Sequence, residues 1–175
     1  TIDIGSGPLT IEDVLAVAHS RAAVNLNRDP AYVEKIRAGE AFLKRLLDED
    51  GIIYGVTTGY GNSCTVEIPG HLVDELSLHL SRFHGCGMGD YLSTEMARAV
   101  MVTRLNSLAM GYSGVRWGLL ERLETFLNAD VAPLIPEEGS VGASGDLTTL
   151  SYVAALLVGV AEALVCVEVF EGGFG

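Results

Sequence analysis

Gly139-Ser140-Val141-Gly142-Ala143-Ser144-Gly145-Asp146 is the stretch from which the rest of this 175-residue chain is read. It lies between a proline-punctuated loop, Pro133-Leu134-Ile135-Pro136-Glu137-Glu138, and an apolar run that begins at Leu147. Its core, Ala143-Ser144-Gly145, carries the smallest side chains available, and the carboxylate of Asp146 follows at once. Glycine admits backbone conformations and close approaches that a Cβ forbids, and a tripeptide this small can fold until one backbone atom touches another. If the Gly145 amide nitrogen attacks the Ala143 carbonyl carbon, a five-membered ring closes, and loss of water from Ser144 leaves an exocyclic methylidene. Such a ring is an electrophile made from the protein itself. The plain alternative is a flexible glycine-rich loop. Two other chemistries fail on spacing: no Gly-Lys-Ser/Thr follows for a phosphate loop, and Asp146 stands where a Gly-x-Ser-x-Gly elbow needs its last glycine.

A second run has the same placed, unperiodic character. Ile52-Ile53-Tyr54-Gly55-Val56-Thr57-Thr58-Gly59-Tyr60-Gly61 starts β-prone and dissolves into glycines. A third, Phe83-His84-Gly85-Cys86-Gly87-Met88-Gly89, closes an amphipathic segment, and a fourth reads Arg104-Leu105-Asn106-Ser107-Leu108-Ala109-Met110-Gly111-Tyr112-Ser113-Gly114. Taken singly, each has an ordinary explanation: a packing tyrosine, a histidine capping a helix C-terminus, a glycine-capped helix end.

In this order and number, the four runs resemble the aromatic amino acid ammonia-lyases, which include histidine, phenylalanine and tyrosine ammonia-lyases and related aminomutases. The match departs from the family pattern after Asp146-Leu147, where Thr148-Thr149-Leu150 stands in place of Ala-Pro-Leu. The resemblance implies that Ala143, Ser144 and Gly145 become 4-methylideneimidazole-5-one, with Asp146 assisting closure and no external cofactor or metal. It makes Tyr54 the catalytic base and Gly61 a backbone contact near the ring, and it gives Arg104 and Asn106 supporting roles. A tyrosine ordinarily ionises near pH ~10, so a base at that position needs neighbours that favour its anion. Phe83 and His84 fall where the family reads the substrate ring. Histidine lyases have Ser-His there, phenylalanine lyases Phe-Leu and tyrosine lyases His-Leu, so this pair is a hybrid. The implied reaction is non-oxidative loss of ammonia from an aromatic L-amino acid. Histidine, giving urocanate, is the first choice, and tyrosine or phenylalanine the second. A 2,3-aminomutase and a catalytically inactive, self-associating piece of such an enzyme are the alternatives.

Composition fits that frame. A hydrophobic fraction of 49% with 19% charged residues suffices for a sizeable core. A net charge of -12, with 11 basic residues scattered along the chain, argues against nucleic acid or an anionic membrane surface as partner. Cys64, Cys86 and Cys166 have no metal-ligand spacing and read as reduced thiols of a cytoplasmic protein. Residues 150–169 are apolar enough to suggest a membrane span, but Ser151, Glu162 and Glu168 interrupt them, and a helix buried among other helices is preferred.

The expected fold is mainly α: the helical N-terminal part of an ammonia-lyase-like fold. Residues 1–146 would bear the ring and the substrate loops, and residues 147–175 would begin the central bundle with a long apolar helix. Residues 1–8 read as an extended arm. Thr10 with Asp13 signals a helix over 11–19, and Asp29-Pro30 one that stops at Gly51. Further helices are expected over 71–82, from Ser93 to 110, and over 114–128, with a loop over 131–138 delivering the triplet. Family members are much longer and draw further site residues from later sequence. The start at Thr1 therefore suggests a processed or cropped chain, and the end at Gly175 a truncated or frame-shifted product or an intentionally cut N-terminal fragment. The family assembles as a homotetramer, and uncovered apolar faces within residues 150–167 would favour self-association here.

Overall fold

The computed structural model describes residues 1–49, 51–141 and 144–159. The fold is mainly helical, with α1 (Ile11–Ala18), α2 (Pro30–Asp48), α3 (Val73–His84), α4 (Thr94–Ala109), α5 (Trp117–Asn128) and α6 (Leu147–Val158) among the described residues. Among the described residues, four short strands, β1 (Ile2–Ile4), β2 (Val24–Leu26), β3 (Met88–Tyr91) and β4 (Pro136–Glu138), form two two-stranded sheets.

Local chemistry sets the helix starts. The Asp13 amide donates to Thr10 Oγ1 at 3.1 Å while the Thr10 amide donates to Asp13 Oδ2 at 2.9 Å, a reciprocal cap that satisfies two otherwise orphaned donors. The Thr10 amide, and the Thr10 hydroxyl that also donates to Asp13 Oδ2 at 2.9 Å, hold the Asp13 carboxyl below its ordinary value. Asp29 accepts from the Ala31 and Tyr32 amides, with Pro30 at the first helical position, and Ser93 Oγ accepts from Met96. Helix α3 begins at Val73, later than expected, because Gly70–Leu72 forms a tight 3-10 turn first. Helix α5 likewise begins at Trp117 and not at Gly114, whose Cα packs so close to α2 that a Cβ there would meet Leu43 at 2.9 Å.

The N-terminal arm is a correction. Residues 2–4 pair in parallel with β2, and Ile4, Val24 and Leu26 are all buried. The outer edge of β2 meets side chains and not a third strand: Asn128 accepts from the Val24 amide and donates to its carbonyl, and Glu124 accepts from the Leu26 amide at 2.7 Å. Glu124 is itself buried and pairs with Arg28 at 2.8 Å. Burial pushes its carboxyl up, but the Arg28 hydrogen bonds and charge together with the Leu26 amide outweigh this and leave it below the usual glutamate value.

Helix α4 is the axis of the core, with Ala97, Met101, Val102, Leu105, Leu108 and Ala109 buried against α1 and α5. It also buries Arg98, only 2% exposed. The Arg98 guanidinium donates to the carbonyls of Val17, Ala18 and Leu127 at 2.8–3.2 Å and pairs with Asp130 at 2.8 Å. Those carbonyls end α1 and α5, where unpaired backbone oxygens and the helix dipoles both favour a cation.

Two further expectations change. The loop over 131–138 contains β4, paired antiparallel with β3 in the register Met88↔Glu138 and Tyr91↔Pro136. The long apolar helix is not present among the described residues. Helix α6 spans 12 residues and stops where Gly159 turns left-handed, φ 69°, its amide donating back to Ala155 and Leu156, a glycine-type stop. The remainder of the expected helix and of the proposed self-associating stretch, with Cys166 and the tail, lies outside the described residues. Among the described residues, no helix is long and apolar enough to cross a membrane.

Candidate active site

Helix α6 presents its N-terminus to the triplet. Asp146 occupies the N-cap position without a side-chain cap bond, Ser144 is exposed, and Gly145 has φ 74°. Ala143 lies outside the described residues. A Cβ on Gly145 would fall 2.6 Å from Ser140 Oγ, and one on Gly139 would fall 2.5 Å from Thr148 Cγ2. The incoming arm is thus pressed against the outgoing one at two points, and both need glycine.

Ser144, Gly145, Asp146 and Thr149 form one wall of a cavity of about 560 Å³. Val100, Thr103, Arg104 and Ser107 of α4 form the opposite wall. These positions recur every three or four residues, so they share one helix face. Arg104 therefore stands across from the triplet. Asn106, two residues on, belongs to another face, where its Oδ1 is buried without a hydrogen-bond partner among the described residues. Thr103 and Ser107 were not singled out from the sequence, although the helical repeat through Arg104 picks them out.

Tyr54 sits in a loop knitted by threonine hydroxyls. Thr57 Oγ1 accepts from the Ile53 amide and donates to the Gly51 carbonyl, and Thr58 Oγ1 accepts from the Gly55 amide. The Gly61 amide donates to the Tyr54 phenol oxygen at 3.0 Å. Tyr60 packs edge-on against the Tyr54 ring at 5.7 Å and donates to the Gly55 carbonyl. Burial, reinforced by Tyr54, pushes the Tyr60 phenol up. The Tyr54 side chain is 62% exposed. The structure brings Tyr54 and Gly61 together, but Tyr54 is not in the wall of the triplet cavity. A larger cavity of about 690 Å³, beside Thr57, Thr58, Cys64 and Glu67, contains neither Tyr54 nor Ser144.

Phe83 and His84 end α3, which packs on α6. Phe83 is 77% exposed and edge-on to the His84 ring at 5.2 Å. His84 Nδ1 lies 2.9 Å from the Leu80 carbonyl; a carbonyl only accepts, so Nδ1 carries the proton in this contact and Nε2 is left for a ligand. The loop after them is tied to the triplet region. The Gly87 amide donates to the Tyr152 hydroxyl of α6 at 3.1 Å, and the Cβ position of Gly139 lies 3.4 Å from the Gly87 Cα. Tyr152 and Ser140 are contacts that the sequence reading missed. Among the described residues, no cluster of three or more His, Cys, Asp or Glu is arranged to hold a metal.

The family model described as "Aromatic amino acid lyase" matches residues 9–173. The chain belongs to the aromatic amino acid lyase family. Within it, the chain is 39% identical over 171 residues to the histidine ammonia-lyase of Streptococcus pyogenes serotype M1, covering 98% of this chain and 33% of that protein. It is 42% identical over 164 residues to the histidine ammonia-lyase of Gloeobacter violaceus, covering 94% and 32%. Among solved lyase-family structures, the tyrosine aminomutase of Streptomyces globisporus superposes with a TM-score of 0.81 at 36% identity, over 90% of this chain and 29% of that one. The chain spans about a third of the length of the curated relatives it matches.

Proposed function

We propose that the protein of which this chain forms part eliminates ammonia non-oxidatively from an aromatic L-amino acid, with histidine as the first-choice substrate. The observation that carries this reading is the pinched turn at Gly145, its side-chain position filled by Ser140 and Ser144 exposed beside it in the cavity whose opposite wall holds Arg104. A left-handed glycine cradled so closely fits the backbone contraction that ring closure of Ala143-Ser144-Gly145 requires. The ring, once formed there, supplies an electrophilic methylidene that withdraws electron density from the substrate amine.

The chain's own residues take the remaining roles. Tyr54 removes the β-proton, its oxygen held by the Gly61 amide. His84 offers Nε2 to a polar substrate ring while Phe83 gives an apolar wall. Asp146 assists closure of the triplet, and Arg104 and Asn106 support the site from two faces of α4. Homotetrameric assembly and a cytoplasmic location accompany this reading by resemblance.

The close likeness to a tyrosine aminomutase favours a second reading, in which the same site returns ammonia to the β-carbon. Intact mass gives the first test. Ring closure lowers the mass by two waters, and an unmodified mass would sink the ring reading. Incubation with L-histidine, L-tyrosine and L-phenylalanine then separates the two reactions: release of ammonia with an aryl-acrylate supports the lyase, and a β-amino acid with no free ammonia supports the mutase.

A further inference from the structure

We propose that Ser140 is a positioning residue for closure of the triplet ring, its hydroxyl seated over the Gly145 Cα so that the turn stays contracted. This rests on the ring reading above and extends it to a residue outside the triplet.

The two arms that flank the triplet touch at two rungs. At the outer rung, Gly139 lies against the Thr148 side chain, which is buried in the first turn of α6. Thr148 is in turn held in place, its carbonyl accepting from Ser151 Oγ at 2.6 Å. At the inner rung, Ser140 Oγ occupies the space a Gly145 side chain would take, 2.6 Å from that Cβ position. The outer rung anchors the neck to the helix and the inner one sets its width. Ser140 is exposed to solvent and forms no hydrogen bond among the described residues, so its contact with Gly145 is its contribution. Gly145 itself has φ 74°, a conformation that glycine adopts at no steric cost.

The step so positioned is balanced without an oxidant. The Gly145 nitrogen bonds to the Ala143 carbonyl carbon. That carbonyl oxygen leaves as water with the amide hydrogens of Ser144 and Gly145. The Ser144 hydroxyl leaves with its own Cα hydrogen as the second water. Attack by an amide nitrogen is slow unless the two atoms are held close, and misplacement by about 1 Å costs on the order of 100-fold in comparable intramolecular steps.

The test follows the two-water mass loss with time after expression in wild type, Ser140→Ala and Ser140→Thr, with thermal unfolding of each. The proposal expects Ser140→Ala to unfold like wild type yet lose water at least about ten-fold more slowly, and Ser140→Thr, which keeps the hydroxyl, to restore the rate. Dehydration of Ser140→Ala at the wild-type rate overturns the role of Ser140 and leaves the ring reading standing. A wild-type chain that never loses water overturns the ring reading itself, and this assignment with it. A Ser140→Thr protein that folds but dehydrates as slowly as Ser140→Ala also overturns the assignment.

Discussion

Replacing Arg98 by methionine keeps the length of the side chain and removes its charge and every donor. Three carbonyls then lose a cationic partner: Val17 and Ala18 at the end of α1, and Leu127 at the end of α5. Val17 keeps the Ser20 amide at 3.1 Å and Leu127 keeps a long contact to the Asp130 amide at 3.4 Å. Each hydrogen bond to a charged donor is worth about 1.5–3 kcal/mol, but the wild-type arginine also bears the cost of its own burial, so the bonds do not simply add. Breaking a buried charged cluster from one side costs about 3–5 kcal/mol. Asp130 is 65% exposed and returns to water when its partner goes, which places the expected loss near the lower end, about 3 kcal/mol. With a urea slope of about 2 kcal/mol/M, the unfolding midpoint falls by about 1.5 M at unchanged slope. Arg98→Lys restores charge without the planar fork and should recover only part of this, and Asp130→Asn should cost less than about 1 kcal/mol. An Arg98→Met midpoint within about 0.3 M of wild type refutes the view that this guanidinium joins the helix ends.

Other expectations follow from the same structure. The Glu124 carboxyl is held below its ordinary value, so its contribution is present above the normal glutamate range and is lost as pH falls through the folded value. Glu124→Gln should therefore be less stable than wild type at pH 7, with the gap closing below about pH 4 in urea titrations; a gap constant with pH contradicts this. Gly139→Ala forces a methyl into the Thr148 side chain and should cost about 1–3 kcal/mol by the same assay, with an unchanged midpoint the adverse result. Tyr54→Phe loses only the contact with the Gly61 amide, so thermal unfolding should stay as in wild type while ammonia release falls by about 100-fold or more. Full activity in that variant would remove Tyr54 as the base.

What could be read from the sequence follows from the range of the forces involved. The starts of α1, α2 and α4 were legible because Thr10, Asp29 and Ser93 act on amides two or three residues away. The pairing of β1 with β2 was not, since three residues show too little alternation and the partner lies about twenty residues on. The burial of Arg98 and Glu124 has no local signal because their partners, helix-end carbonyls and a strand amide, come from remote segments. Within the site, the triplet and the Tyr54 loop stood out through their glycines and their likeness to a family pattern. The Ser140 contact was hidden because it exists only once the chain has doubled back. The long final helix was over-read: its apolar composition says nothing of a stop at Gly159.

The tether from Gly87 to Tyr152, with Gly87 and Gly139 nearly touching, fixes the end of α3 through its backbone. The side chains of Phe83 and His84 are not part of that mooring. On the proposed reading, a lineage can therefore exchange this pair for one suited to another aromatic ring without disturbing the foundation under the triplet.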